Sequence, residues 1–212
     1  MRKTDLILAL AAALAVGCGG CNDFSPVVGP PVSYPYISMS NPESVLVNLR
    51  ASYINRDAAE YDRILTSDYV FRFAPVDIVP GQPDSLLRGD EMSFAQNLFH
   101  DGKPAQNLPR ASQASLVFTI QSRDLDNRVG HAGWQKYVAS TDLTLHFVDG
   151  NTTRVTGLEW FYFKPEPAGS GTWKLAEWDD RGASLGVPAG VRSLKPQPAN
   201  VVTWGKLKRL YH

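Results

Sequence analysis

The sequence predicts an α+β domain in which three N-terminal helices precede a run of antiparallel strands. Apolar residues recur at helical spacing soon after residue 41, and beyond residue 115 they alternate with polar residues along segments separated by turns. The 212 residues are 43% hydrophobic and 20% charged, which excludes a disordered or fibrous chain. This length allows one domain with a sizeable core.

The charge balance and the absence of certain motifs argue against several classes of function. Lys and Arg number 21 and so do Asp and Glu, so there is no electrostatic case for nucleic-acid binding. The four histidines lack metal-ligand spacing, and neither a Gly-x-Ser-x-Gly elbow nor a phosphate-binding glycine loop is present. We therefore expect no metal and no cofactor.

Residues 1–17 are typical of an export signal. Arg2 and Lys3 precede an apolar run of eleven residues, shorter than the roughly 20 residues of a membrane-spanning helix. The segment from Leu14 to Cys18 resembles the lipobox of bacterial lipoproteins. That resemblance implies cleavage before Cys18 and lipid on its sulfur and new amino terminus. We expect a lipid-anchored protein of the bacterial cell envelope, facing the periplasm or the outer surface, with plain secretion as the alternative.

Residues 18–40 are predicted to form a lipid-anchored tether. Its prolines and its lack of an amphipathic period favour an extended spacer. Cys18 and Cys21 form a C-x-x-C, but no strand-to-helix context and no further metal ligands accompany them. Cys21 is interpreted as a bystander or a second cleavage site. The alternative for the tether is that its aromatic residues pack back onto the domain, namely Phe24, Tyr34 and Tyr36.

The domain proper is expected over 41–181, and its first half is mainly helical. Asn41-Pro42 and Ser40 with Glu43 are two possible helix starts. The Arg88-Gly89-Asp90 tripeptide is interpreted as a helix cap. The predicted elements of this half are a first helix after residue 41, helices over 58–65 and 90–99, and a strand over 68–73.

The second half is predicted to be a meander of strands. In the segment from Gln135 to Phe147, apolar residues from Tyr137 onwards occupy one side and polar residues the other. Asp149-Gly150-Asn151 has the composition of a hairpin turn. The predicted strands span 115–122, 135–147, 152–164 and 172–179.

Four segments carry a resemblance to a known family: 44–53 (followed by Asp57 and Tyr61), 68–73, 157–163 and 171–180. Their order and aromatic positions resemble the nuclear transport factor 2-like (SnoaL-like) superfamily. The resemblance covers 41–181 and implies a cone-shaped curved antiparallel sheet closed by the three helices. The superfamily contains isomerases, dehydratases, cyclases and hydrolases beside non-catalytic binding and dimerisation modules, so it implies no catalytic residue here.

Glu159 is the candidate general base. It alternates with Gly157, Phe161 and other apolar residues, so its carboxylate is expected to point into the cone, where desolvation raises a carboxylate pKa. The alternative is a paired carboxylate at a rim or an interface. The opposite row, Leu158, Trp160 and Tyr162, is apolar too, which predicts a cover formed by a helix, the tail or a second subunit.

The aromatic residues of the domain either line a cavity for an apolar ligand or fill the core. The candidate pocket residues are Tyr69, Phe71, Tyr137, Glu159, Phe161 and Trp173.

Other polar pairs favour structural roles. Asp142 and His146 are too far apart along one strand for contact and are assigned to a solvated outer face. Asp179 and Asp180 are expected to cap a turn beside Arg181.

Residues 182–212 form a C-terminal extension whose last twelve residues are amphipathic. We expect this segment to dock on the domain or its twin and cover the exposed sheet face; the alternative is an anionic membrane surface. The sequence thus predicts a non-catalytic, homodimeric envelope lipoprotein binding a small apolar ligand or a protein partner. An isomerase, dehydratase or hydrolase using a buried carboxylate is one alternative, and a purely structural dimeric subunit is another.

Overall fold

Residues 33–182 and 201–212 are described in a computed structural model of the protein. The predicted signal, Cys18, Cys21 and most of the tether lie outside the described residues. The described part contains four α-helices and one seven-stranded sheet that is curved and unclosed, which confirms the predicted α+β class.

The N-terminal helices begin at side-chain caps. Helix α1 (Pro42–Asn55) starts at Asn41, whose side chain accepts a hydrogen bond from the Ser44 N–H (2.8 Å), and Ser44 Oγ accepts one from the Asn41 N–H (3.2 Å). Of the two possible starts, the chain therefore uses Asn41. The other helices are α2 (Ala58–Ile64), α3 (Arg88–Gln96, continued by a π turn over Asn97–Asp101) and α4 (Trp204–Tyr211).

The strands are β1 (Leu65–Arg72), β2 (Ser85–Leu87), β3 (Ala111–Leu125), β4 (Gln135–Phe147), β5 (Thr152–Pro165), β6 (Trp173–Asp180) and β7 (Val201–Val202). Their order in the sheet is β2-β1-β6-β5-β4-β3, and β7 pairs with β5. The β1–β6 and β5–β7 pairs are parallel and the others antiparallel.

Strand β3 is longer than predicted, and β2 lies in a stretch predicted to be irregular. The pairing of β3 with β4 shifts register between Ala111 and Gln113 and again between Ile120 and Ser122. Each shift interrupts the alternation of side chains, so the sequence pattern covers only the part between them. Strand β4 has no such shift against β5, and its bounds match the prediction.

One face of the sheet, the inner face, packs against the helices. The predicted apolar row of β4 is buried there, from Tyr137 through Leu143 to Phe147, together with the Val155–Phe163 row of β5. The opposite, outer face carries the more exposed residues of the same strands.

Helix α4 docks on the inner face. Trp204, Leu207 and Tyr211 are buried and belong to the same core as the inner rows. The predicted docking of the tail is therefore found, but on the inner rather than the outer face, because its aromatic side chains enter the space between the helices and the sheet. No helix in the described segments combines the length and apolar character needed to cross a bilayer.

The described end of the tether, residues 33–40, lies alongside α1. The side-chain amide of Asn48 bonds both backbone groups of Ile37, at 2.9 and 2.8 Å, and Asn55 does the same for Tyr34, at 2.9 and 2.9 Å. This part of the tether is therefore bonded to the domain rather than a free spacer. Of the three aromatic residues, Tyr36 donates a hydrogen bond to Asp57, Tyr34 remains exposed, and Phe24 lies outside the described residues.

Candidate functional site

Glu159 lies on the inner face of β5 with no exposed surface. The Trp178 indole N–H donates a hydrogen bond to Oε2 (2.7 Å), and the Thr141 hydroxyl lies 3.4 Å from Oε1. Both carboxylate oxygens are therefore engaged by neighbouring strands, β6 and β4. The prediction that Glu159 points inward is confirmed.

Gly157 makes this arrangement possible. A Cβ at position 157 would lie 2.2 Å from Glu159 Oε1 and 3.4 Å from Cδ1 of Trp204. The glycine therefore leaves the space into which the Glu159 carboxylate folds and against which the Trp204 ring packs.

The surroundings of Glu159 favour its neutral form. Burial, and secondly the nearby Asp180 carboxylate, raise the pKa of Glu159 well above its usual range, although the Trp178 hydrogen bond opposes the rise. This is the direction expected from the sequence. A buried acid of this kind is a common component of active sites, but its chemistry requires access for a substrate.

A second interior carboxylate, Glu91 of α3, was not predicted. It is fully buried, and its Oε1 accepts hydrogen bonds from the Lys208 ammonium and from the Tyr61 hydroxyl. Its other oxygen, Oε2, is buried without a hydrogen-bond partner. The sequence signal was the position of Lys208, four residues after Trp204 and three before Tyr211, on the apolar stripe of α4.

Aromatic rings surround the Lys208 ammonium. Nζ lies 4.1 Å from the ring centre of Phe71, 4.4 Å from Trp178 and 4.9 Å from Phe94. Burial lowers the pKa of Lys208 below its usual range, while the contact with Glu91 opposes that change. The ammonium is thus held by one carboxylate and three ring faces.

Asp180 joins the sheet to the start of α4. Its two oxygens accept hydrogen bonds from the backbone N–H groups of Gly182 (2.7 Å) and Gly205 (2.8 Å). A carboxylate near a helix N-terminus is favourable. The predicted turn-capping role is confirmed for Asp180, whereas Asp179 points to the outer face, 3.6 Å from Arg72.

The structure places the aromatic candidate pocket residues in or against one buried core. Phe71 and Phe161 flank Trp178, with ring centres 5.8 and 4.9 Å away, close to Glu159. Tyr69 and Tyr137 are buried in the same core, Tyr137 against Phe163 (5.3 Å), and the half-buried Trp173 packs against that core at the start of β6.

Three surface clefts of the described part open elsewhere, beside Arg72 and Asp179, beside Tyr36 and His100, and beside Trp134. None of these three is lined by a candidate pocket residue. Within residues 33–182 and 201–212, no group of three or more His, Cys, Asp or Glu side chains is arranged to hold a metal ion.

The outer face is covered by long cationic side chains. Trp160 lies between Lys136 Nζ (3.5 Å) and the Arg181 guanidinium (3.8 Å), and the Arg128 guanidinium lies 3.9 Å from the Tyr162 ring centre. The expected cover by a helix or the tail is not found among the described residues. The physical reason is that α4 packs on the inner face instead, and aliphatic stems can shield an aromatic surface.

The predicted solvated character of Asp142 and His146 is confirmed. Asp142 is partly exposed and pairs with Arg154, whereas His146 is exposed and its Nδ1 lies 3.0 Å from Thr152 Oγ1.

No family model and no curated protein matches the chain. Among solved structures it is similar to a ketosteroid isomerase-like protein from Erwinia carotovora atroseptica (14% identity, covering 67% of this chain and 93% of that one, TM-score 0.46). It is also similar to an NTF2-like protein of unknown function in nutrient uptake from Rhodospirillum rubrum (15%, 66% and 96%, TM-score 0.42) and to a type 2 hexachlorocyclohexane dehydrochlorinase (12%, 64% and 78%, TM-score 0.44). The structural neighbours of this α+β fold thus include NTF2-like proteins, some of them enzymes and some of unknown function.

Proposed function

We propose that the protein is a lipid-anchored lipoprotein of the bacterial envelope whose nuclear transport factor 2-like domain is a non-catalytic interaction module. The observation that carries this proposal is that α4 occupies the interior of the domain. Trp204, Leu207 and Lys208 fill the space against the inner face that an enzyme or a small-ligand binder with this architecture needs to keep open.

The state of Glu159 supports the same function. A general base must come within hydrogen-bond reach of its substrate, and both oxygens of Glu159 already face Trp178 and Thr141. An isomerase, dehydratase or hydrolase is the second candidate, which the raised pKa of Glu159 favours. That activity requires α4 to leave the interior.

Because α4 occupies the interior, we infer that a protein partner binds to the outer face of the sheet. Trp160 with Lys136 and Arg181 presents a half-buried aromatic ring between two cations. Aromatic and arginine side chains are enriched among the residues that contribute most to protein interfaces. We propose a homodimer through this face, held near the membrane by lipid on Cys18.

The test is native mass spectrometry of the full chain made in a lipid-modifying bacterial host and purified in detergent. We expect a dimer that carries lipid and no other bound molecule. Cys18→Ser should abolish the lipid mass, and Cys21→Ser, the matched control, should retain it. A non-lipid molecule bound one per chain, and retained in Cys18→Ser, would overturn the filled interior, and a monomer would overturn the homodimer.

A further inference from the structure

We propose that the domain contains a recognition site for a primary alkylammonium group and that Lys208 is its intramolecular occupant. The site is formed by Glu91, Tyr61 and the rings of Phe71, Phe94 and Trp178, named here the ammonium cage. This inference goes beyond the proposed function and does not rest on it, since the cage exists whether or not the outer face binds a partner.

The cage has the two components by which proteins recognise organic cations. One is an anionic acceptor, Glu91 Oε1, which the Lys208 ammonium contacts directly. The other is a set of aromatic faces, whose ring centres lie 4.1 to 4.9 Å from Nζ. Neither component has exposed surface, so the ammonium exchanges water for these contacts completely.

The cage and its occupant come from separate parts of the chain. Tyr61 lies on α2, Phe71 on β1, Glu91 and Phe94 on α3, and Trp178 on β6. All of these elements end at or before residue 180. Lys208 lies on α4, which follows residues 183–200. The site therefore belongs to the helices and sheet, and its ligand is supplied by the C-terminal extension.

Two of the cage residues, Trp178 and Tyr61, have contacts that do not involve Lys208. The Trp178 indole N–H is fixed by Glu159 (2.7 Å), and the Tyr61 ring packs edge-on against Tyr53 (5.6 Å). Contacts that persist without the ligand reduce the ordering cost of binding.

Glu91 Oε2 indicates that the site can accept a further donor. This oxygen is buried without a partner, whereas Oε1 accepts from both Lys208 and Tyr61. A primary ammonium carries three N–H donors. An amine free of the α4 backbone can therefore reach both oxygens, which the tethered side chain does not.

The test is chemical complementation in the full chain. Lys208→Ala removes the three outer methylenes and the ammonium, and n-propylammonium replaces the same atoms. We expect the substitution to lower the melting temperature and n-propylammonium to raise it again with saturation. At ten times the dissociation constant, the ratio of folded to unfolded protein should rise about 11-fold.

Three comparisons define the specificity of the rescue. n-Propanol has the length but no charge, and tetramethylammonium has the charge but no N–H donor, so neither should rescue. Glu91→Gln in the Lys208→Ala background should abolish the rescue. Lys206→Ala is the matched control because Lys206 is exposed on the same helix, and it should respond to none of the compounds.

Equal shifts with n-propylammonium and n-propanol, or equal responses of the Lys208→Ala and Lys206→Ala chains, would overturn the proposal. If Lys208→Ala does not fold, n-propylammonium present during refolding should restore a cooperative unfolding transition. Lys208→Met, which retains the apolar stem, is then the folded reference. A Lys208→Met protein as stable as the unsubstituted chain would also overturn the proposal.

Discussion

Two ion pairs of similar chemistry lie on opposite faces of the sheet. Lys208 and Glu91 join α4 to α3 on the inner side, and neither side chain has exposed surface. Arg154 and Asp142 join β5 to β4 on the outer face, with 47% and 41% of their side chains exposed. The outer pair makes two hydrogen bonds, at 2.9 and 2.5 Å, whereas the inner pair makes one, from the Lys208 ammonium to Glu91 Oε1.

The two pairs differ most in their exposure to water. The outer pair is screened by water and contributes about 0–1 kcal/mol. The inner pair has lost its hydration, so removing one partner leaves a buried charge without compensation. Contact geometry alone therefore does not rank the two pairs; the surroundings of each pair do.

The largest expected effect tests how much the packing of α4 on the inner face contributes to stability, apart from the charge of Lys208. Trp204→Ala should lower the free energy of unfolding by about 4 kcal/mol, because it removes a fully buried ring and its hydrogen bond to Thr141 (2.7 Å). Chemical denaturation measures the loss. Leu210→Ala, on the same helix but 40% exposed, is the control and should cost much less. Equal losses for both would show that α4 is not part of the core.

The next effect tests the charge of the inner pair. Glu91→Gln should lower the free energy of unfolding by about 3 kcal/mol, because Lys208 then lacks its anionic partner. Adding Lys208→Met should recover a large part of that loss, since the buried charge is also removed. A double-mutant cycle measured by denaturation gives this coupling. Additive losses would mean that the two groups act independently.

The third effect concerns the pH dependence of the inner region. Because the pKa of Glu159 is raised in the folded protein, its contribution to stability is complete below the unfolded pKa of about 4.5 and is lost as pH rises towards the folded pKa. Glu159→Gln should remove the part of the pH-dependent fall in stability that Glu159 causes. At low pH, where it replaces a neutral acid, it should lower the free energy of unfolding by only about 1 kcal/mol. Thermal unfolding from pH 4 upwards measures stability against pH for the unsubstituted and the Glu159→Gln chains.

Glu43→Gln is the control for that experiment, since Glu43 is a partly exposed carboxylate. It should keep the fall in stability that the unsubstituted chain shows with rising pH. Parallel curves for the unsubstituted and Glu159→Gln chains would contradict the assignment of the buried acid.

The sequence could predict features that depend on local alternation. The bounds of β4 and the inward direction of Glu159 follow from side-chain period alone, and no register shift interrupts the pairing of β4 with β5. Strand β3 was predicted too short because two register shifts interrupt its period. Where the alternation is intact, therefore, the sequence predicts both the strand and its buried face.

The ammonium cage could not be predicted because it depends on contacts between distant segments. Lys208 and Glu91 are 117 residues apart, and no local pattern pairs them. A charged residue such as Lys208 is typical of the polar side of an amphipathic helix, whereas its spacing from Trp204 and Tyr211 places it on the apolar stripe of α4. For Lys208, position within the helical period predicts burial better than residue type does.

The smallest expected effect tests the outer pair directly. Arg154→Ala should lower the free energy of unfolding by about 0–1 kcal/mol, because water already solvates both partners. The effect should shrink further between low salt and 1 M salt, where the screening length falls to about 3 Å, while the cost of Glu91→Gln stays nearly constant. Urea denaturation at the two salt concentrations measures both. A cost for Arg154→Ala that equals that of Glu91→Gln and resists salt would show that burial does not rank the two pairs.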